Sequence, residues 1–243
     1  AEQSLDQHRR DYFVPKFGLF RGPSHLCDGI AGYPDPPAVN TDKASSYCED
    51  YPHLVEAMPT SLQAIYYGAY QAAAEMAEAL DLDPAEAERW RRLASNLQRD
   101  ATARLWVPDE RRYGYFLHGA GPKAGELETH QEGAGLAFSL LFGLADKRQA
   151  QQIMQHFHNE PYGMTAVWPH FTRFSADRPG RHNVLVWPQM SAYWALGTRS
   201  HGRTDLFAWE FANLTGLLHS TSPDIREIYD AVHGVPHGGY QNG

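Results

Sequence analysis

The chain has 243 residues, 29 of them acidic against 21 basic, for a formal net charge of -8. That balance excludes the basic stripe that nucleic acid or an anionic membrane surface demands. The length suits one large domain with its own core, and no run approaches the roughly 18 apolar residues of a membrane span.

Composition also excludes disorder, collagen and coiled coil. Thirteen His, 13 Tyr, 11 Phe and 6 Trp make the chain rich in rings, which stack on sugars and also fill cores.

Residues 1–55 read as irregular, because Pro, Gly, Asp and Ser cluster at Gly18 to Gly22 and at Gly32 to Pro37 without a sustained period. A structureless stretch of that length inside a domain is usually functional. Cys27 and Cys48 are the only cysteines, and their spacing leaves both a disulfide and two free thiols open. The sequence starts at Ala1, which implies a processed product or a fragment, and its first 30 residues carry no signal-peptide pattern. The compartment stays open, with a periplasmic or secreted setting slightly favoured over the cytoplasm. Oligomeric state is not legible.

Helical period begins near Thr60 or Ser61, either of which can cap a helix with the stripe Leu62, Ile65, Tyr66, Ala69, Ala73, Met76 and Leu80. Asp83-Pro84 opens a second helix, with Pro at its favoured first position and Trp90, Leu93, Leu97 and Leu105 on one face. A third runs through Leu136 to Leu141 and ends at Gly143. A fourth carries Ile153, Met154 and Phe157. Pro188 starts a fifth, and Thr204-Asp205 a sixth whose stripe is weakened by Asn213. A short seventh is expected from Ser222-Pro223-Asp224.

These helices fall into pairs with short internal links, which predicts antiparallel hairpins. The long links, Trp106 to His130 and Asn159 to Trp187, would gather at one end and line a cleft. One composition regime and no linker predict a single domain over residues 1–243.

Four segments resemble the six-hairpin glycoside hydrolases, most of all glycoside hydrolase family 63 in its mannosylglycerate-hydrolase-like branch. They are Ser24-His25-Leu26-Cys27-Asp28-Gly29, Leu105-Trp106 through Tyr115, His182-Asn183-Val184-Leu185-Val186-Trp187-Pro188, and Arg226-Glu227-Ile228-Tyr229-Asp230 followed by Gly234. The sequence has Asn183-Val184 where family 63 has Arg-Gly, closer to the His-Asn-Gly-x-x-Trp-Pro segment of other six-hairpin enzymes. The resemblance implies an all-α fold, an (α/α)6 toroid of helical hairpins. Twelve helices need about 350 residues at roughly 11–12 each plus loops, so an incomplete barrel or a fragment is expected.

Glycoside hydrolysis needs two carboxyls across the anomeric carbon, one protonating the leaving oxygen and the other activating water or attacking. The resemblance implies the inverting route, with Asp28 as general acid and Glu227 as general base. Rings around Asp28 would raise its pKa, as an acid requires. Taken without the resemblance, Asp28 before Gly29 reads as a turn residue, and Glu227 as a first-turn helix residue. Glu132 is the rival carboxyl, although Thr129 and Glu132 also fit a Thr-x-x-Glu capping box. Asp50 is a weaker candidate.

Gln131, Trp168, His182, Asn183, Trp187 and Gln189 are candidates for binding sugar, through ring stacking or hydroxyl hydrogen bonds. Tyr33 and Tyr240 are candidate platforms. The expected partner is a carbohydrate. No His-Glu-x-x-His pattern, phosphate loop or serine elbow is present, so neither a catalytic metal nor a cofactor is expected. The alternatives are a sugar epimerase or isomerase using His130, His170 and His182, and a non-catalytic carbohydrate-binding remnant.

Overall fold

The computed structural model describes residues 2–34, 47–221 and 226–238. The expected seventh helix at Ser222 to Asp224 and the candidate platform Tyr240 lie outside the described residues. Eight helices are present among those described: α1 (Glu2–Tyr12), α2 (Pro52–Val55), α3 (Thr60–Ala79), α4 (Pro84–Leu105), α5 (Gly133–Leu141), α6 (Lys147–His156), α7 (Pro188–Ser200) and α8 (Thr204–Ser220).

The six long helices from α3 to α8 stand where helical period was expected, and α4 buries its expected stripe of Trp90, Leu97 and Leu105. On α3 and α8 the buried face differs from the expected one: Met76 and Leu80 are exposed while Gln63, Tyr67, Tyr70 and Ala74 are buried, and on α8 Trp209 is exposed. Asp83 caps α4 by accepting the Ala85 N–H at 2.9 Å, and Pro84 takes the first turn. Asp146 and Gln149 form a reciprocal capping box on α6. No side chain caps α3, whose N-cap is Pro59. The Thr60 or Ser61 cap is therefore not used, and the Ser61 N–H goes instead to a distant carboxylate described below.

The expectation of irregular structure over residues 1–55 needs correction at α1. This helix buries no residue fully, so it carries no apolar stripe to betray it. An ion pair between Asp6 and Arg89 ties it to α4, and Leu5 rests on the core.

The hairpins α3–α4 and α7–α8 are closely packed, and α5 lies between α3 and α7. Eight residues of α5, Gly133 through Leu140, are buried, so this helix is apolar on all sides. At its flanks small residues let helices approach: a Cβ on Gly197 would sit 3.1 Å from the Ala137 carbonyl. Thus α3, α5 and α7 form an inner layer, with α4, α6 and α8 as their hairpin mates.

The all-α expectation is too narrow. Short antiparallel strands close the ends of the hairpins, and each inner helix is entered from one. They are Met58–Pro59 before α3, Gln131–Glu132 before α5, and Leu185–Val186 before α7. Met58–Pro59 pairs with Phe116–Leu117, which pairs in turn with Leu127–Glu128. Gln131–Glu132 pairs with Val167–Trp168, and Leu185–Val186 with Ile228–Asp230. The long links thereby fold back over the N-terminal ends of the inner helices. Rings fill much of the interior, with Trp90, Trp194, Tyr33, Tyr113, Tyr115 and Tyr229 fully buried.

Candidate active site

Asp28 sits on a loop anchored at several points over this strand-capped end. Its carbonyl accepts the Cys48 N–H at 2.8 Å, and Gly29 bridges to Tyr47. A 3-10 turn, Ile30–Gly32, follows. Arg173 donates to the backbone carbonyls of Ile30, Tyr33 and Pro34 at the end of that turn. Cys27 and Cys48 are both free thiols and both buried, and burial pushes the Cys27 thiol up to about 12. A thiol so far from ionising is inert.

The opposite wall is a tight turn closed by Gly180 and Asn183, which exchange two backbone hydrogen bonds of 3.1 and 2.9 Å. Its two tip residues are Arg181 and His182. Arg181 is exposed and donates to Glu227 Oε1 at 3.1 Å. His182 is buried, with Nε2 placed 3.5 Å from Asp28 Oδ1. Glu227 reaches this place because it directly precedes the strand Ile228–Asp230, registered against Leu185–Val186.

Asp28 and Arg181 line one pocket of about 230 Å³ together with Gly29, Ile30, Ala31 and Tyr47. Arg181 thus lines the pocket of Asp28 while its guanidinium is paired with Glu227. Arg181 carries no sequence signal of its own beyond preceding the His182-Asn183 segment.

The electrostatics of Asp28 differ from the expected ring shielding. Its side chain is 52% exposed. The His182 ring beside it and the Arg181 guanidinium hold its carboxyl below the usual range, against partial burial that pushes it up. Burial in turn pushes His182 below the ordinary imidazole value, against the pull of Asp28.

Trp187 organises this wall. Its ring stacks on His182 at 5.4 Å with 7° between planes, lies under Arg181 at 5.1 Å, and its Nε1 donates to the Arg181 carbonyl at 2.9 Å. Its ring is therefore engaged by protein on the side of both tip residues.

Several other expected sugar contacts are committed to backbone. Asn183 is buried, donating to the Ala31 carbonyl at 2.7 Å and accepting the Phe171 N–H at 3.0 Å. Gln131 is buried and makes the same pair of bonds to His158 N–H and C=O. These amides staple loops and have no exposed surface to offer a hydroxyl. Tyr33 is buried too, its hydroxyl accepting the Ser24 N–H and its ring stacked on Tyr115. It faces a separate, largely apolar pocket of about 280 Å³ with His53, Phe116 and Lys123.

Trp168 is half-buried and stacks on His158 at 3.5 Å. Gln189 is exposed in the first turn of α7, and Asp50 is exposed at the end of a 3-10 turn. The three histidines of the epimerase alternative each face a different carboxylate: His130 faces Glu128, His170 faces Glu160 and His182 faces Asp28. Among the described residues no group of three His, Cys, Asp or Glu is placed to hold a metal.

Glu132 is not a capping-box residue, because no side chain caps α5. It is fully buried and bridges two elements. Oε2 accepts the Ser61 N–H at 2.9 Å, and Oε1 accepts the hydroxyls of Ser61, at 2.5 Å, and of Ser24. Burial pushes its pKa up to about 7 despite these donors. The carboxyl locks the start of the Asp28 loop to the start of α3, away from solvent.

Val184 has φ 62° and Leu26 has φ 63°, left-handed values that L side chains rarely adopt and that cost most at the β-branched Val184. Val184 stands where the His-Asn-Gly pattern has Gly, and its backbone conformation explains why Gly suits that place. Both strained residues flank the Asp28–Arg181 pocket in sequence.

The chain shares its fold with several solved glycosidases. Glycoside hydrolase family 63 mannosylglycerate hydrolase from Thermus thermophilus, in complex with glucose, is 25% identical with a TM-score of 0.61, over 76% of this chain and 42% of that one. Neutral trehalase from Saccharomyces cerevisiae aligns with a TM-score of 0.60 at 17% identity, over 75% of this chain and 36% of that one. A sialidase aligns over 99% of this chain and 21% of its own, with a TM-score of 0.70 at 16% identity.

The chain therefore spans less than half the length of these solved relatives. No curated protein matches it. The profile of the mannosylglycerate hydrolase MGH1-like glycoside hydrolase domain covers residues 38–242, which takes in the Arg181–Trp187 turn, Glu227 and all three hairpins. With so much of its length matched, and with its hairpins stacked as in the solved glycosidases, this chain belongs to the MGH1-like glycoside hydrolase domain family.

Proposed function

We propose that this chain hydrolyses an O-glycosidic bond of a small glycoside or oligosaccharide by inversion, with Asp28 as general acid and Glu227 as general base. The observation that carries this reading is that Arg181, paired with Glu227, lines the same pocket as Asp28, which brings two loops far apart in sequence to one place. Inversion needs an acid on one face of the sugar and a base holding water on the other. Asp28 is the more open of the two and stands against the pocket, where a leaving oxygen can reach it. Glu227 is one quarter exposed and hydrogen-bonded to a cation, which suits a group that must stay charged while it polarises water.

Arg181, His182 and Trp187 act on these two groups and shape the wall behind them. The solved relatives named for mannosylglycerate and trehalose put small glycosides first among substrates. The test is hydrolysis of a panel of mannosyl and glucosyl fluorides of both anomers, followed by proton NMR during the first turnovers. The expected first product has the anomeric configuration opposite to the substrate. A product of retained configuration would overturn the inverting assignment, and no hydrolysis across the panel would overturn the hydrolase reading.

A further inference from the structure

His182 is buried with no exposed surface, held between the parallel Trp187 ring and Gly32. A Cβ at Gly32 would already press on the imidazole at 3.3 Å from Cδ2. The ring's orientation is therefore set by packing. Its Nε2 faces two groups at once, the Gly29 N–H at 3.3 Å and Asp28 Oδ1 at 3.5 Å. Its Nδ1 has no hydrogen-bond partner among the described residues.

The two neighbours of Nε2 make opposite demands. An ionised Asp28 wants a hydrogen on Nε2, whereas the Gly29 N–H can only donate and wants the lone pair. A proton on the Nε2–Oδ1 line satisfies one neighbour in each of its two positions. On Nε2 it gives an ion pair, and on Oδ1 it leaves the nitrogen free to accept from Gly29 and from the carboxyl. Burial and Gly29 disfavour the imidazolium, while Asp28 and Glu227 favour it and Arg181 opposes it. Among the described residues, those three are the charged groups that bear on the ring.

We propose that His182 is the positioning residue of Asp28 and holds the proton that loads it. The inference rests on the reading of Asp28 as general acid. Nδ1 keeps its own hydrogen throughout; at pH low enough for the ring to take a second one, the open cleft holds that proton on Nε2 as an imidazolium and Asp28 is a carboxylate. A sugar covering the half-exposed Asp28 makes its charge costly, and the proton crosses: the Nε2–H bond breaks and an Oδ1–H bond forms. That O–H bond then breaks as the leaving oxygen takes the proton. The pair recovers one proton from solvent through Asp28 once the cleft opens.

The experiment is 15N NMR of histidine-labelled protein, following the His182 ring across pH in the full chain and in Asp28→Asn. Asp28 is half-exposed, so the variant keeps the fold, and an unchanged thermal melt confirms it. The expected result is a fall of at least about one pH unit, tenfold in proton affinity, in the His182 midpoint when the carboxylate is removed. Adding glucose to the unmutated chain is expected to move Nε2 towards its lone-pair shift. An unchanged His182 midpoint in Asp28→Asn would overturn the proposal.

Turnover of the same variant tests the underlying reading separately. Retained hydrolysis of an alkyl glycoside, whose leaving group needs a proton, would remove Asp28 as the acid, while the His182 titration would still decide whether the pair shares a proton. Kinetics of His182→Gln, which keeps an acceptor and a donor at the same reach, give a third readout. About a 100-fold loss in kcat with KM little changed and a shifted pH profile is expected, and an unshifted profile would contradict the shared proton.

Discussion

Replacing Asp28 by Asn is expected to lower kcat/KM on an alkyl glycoside by roughly 10²–10⁴-fold, the span that a positioned general acid contributes. The same variant is expected to keep most of its activity on the matching glycosyl fluoride. Fluoride departs without needing a proton, so the missing acid is not felt. Glu227→Gln is expected to lose activity on both substrates, because water must be activated whichever group leaves. This crossed pattern separates the two roles, which equal losses would not.

The pH dependence follows from the position of Asp28. The His182 ring and Arg181 hold it below the usual carboxylate range, so the free protein at neutral pH carries it ionised. On the alkyl glycoside kcat/KM should then rise as pH falls from neutrality. The fluoride reaction should lack that rise.

Glu132→Gln is expected to stabilise the protein above neutrality and to flatten its stability against pH. In the folded chain the Glu132 pKa is raised from 4.5 to about 7 by burial. Between those two values the folded state keeps a proton that the unfolded chain has released. Stability must therefore fall as pH rises through that window, and the linkage amounts to about 3 kcal/mol once pH exceeds the folded value.

Gln keeps the shape and can accept the Ser61 N–H, but it has no charge to bury. Urea melts of both proteins should coincide near the lower end of the window and diverge towards its upper end, with the variant the more stable. Parallel curves would mean that Glu132 is already ionised in the fold at no cost.

The helical frame was legible because its cues are local. Asp83-Pro84 and the stripes through Trp90, Leu136 and Ile153 carry helix period and caps within a few residues. The polar α1 was not legible, since an ion pair to Arg89 and a light contact through Leu5 leave no period to read.

Asp28 and Glu227 stood out through resemblance rather than through their immediate neighbours. What no sequence pattern conveyed was how the surrounding polar residues divide their bonds. Asn183 and Gln131 have the chemistry of hydroxyl binders, yet each spends its amide on main-chain groups of another loop. Glu132 matches a capping box by spacing, but its carboxyl turns to α3 instead. Arg173 and Arg181 went unnoticed because each gains its meaning from partners 46 to 143 residues away.

The most direct test of the acid–base assignment is a crystal structure of this chain with an unhydrolysed glycoside bound. The account predicts the anomeric carbon between the Asp28 and Glu227 carboxyls, roughly 6.5–9.5 Å apart with a water on the Glu227 side. A separation of about 5–5.5 Å would instead mark a retaining enzyme, and a sugar bound away from the Arg181 turn would remove both residues from the reaction.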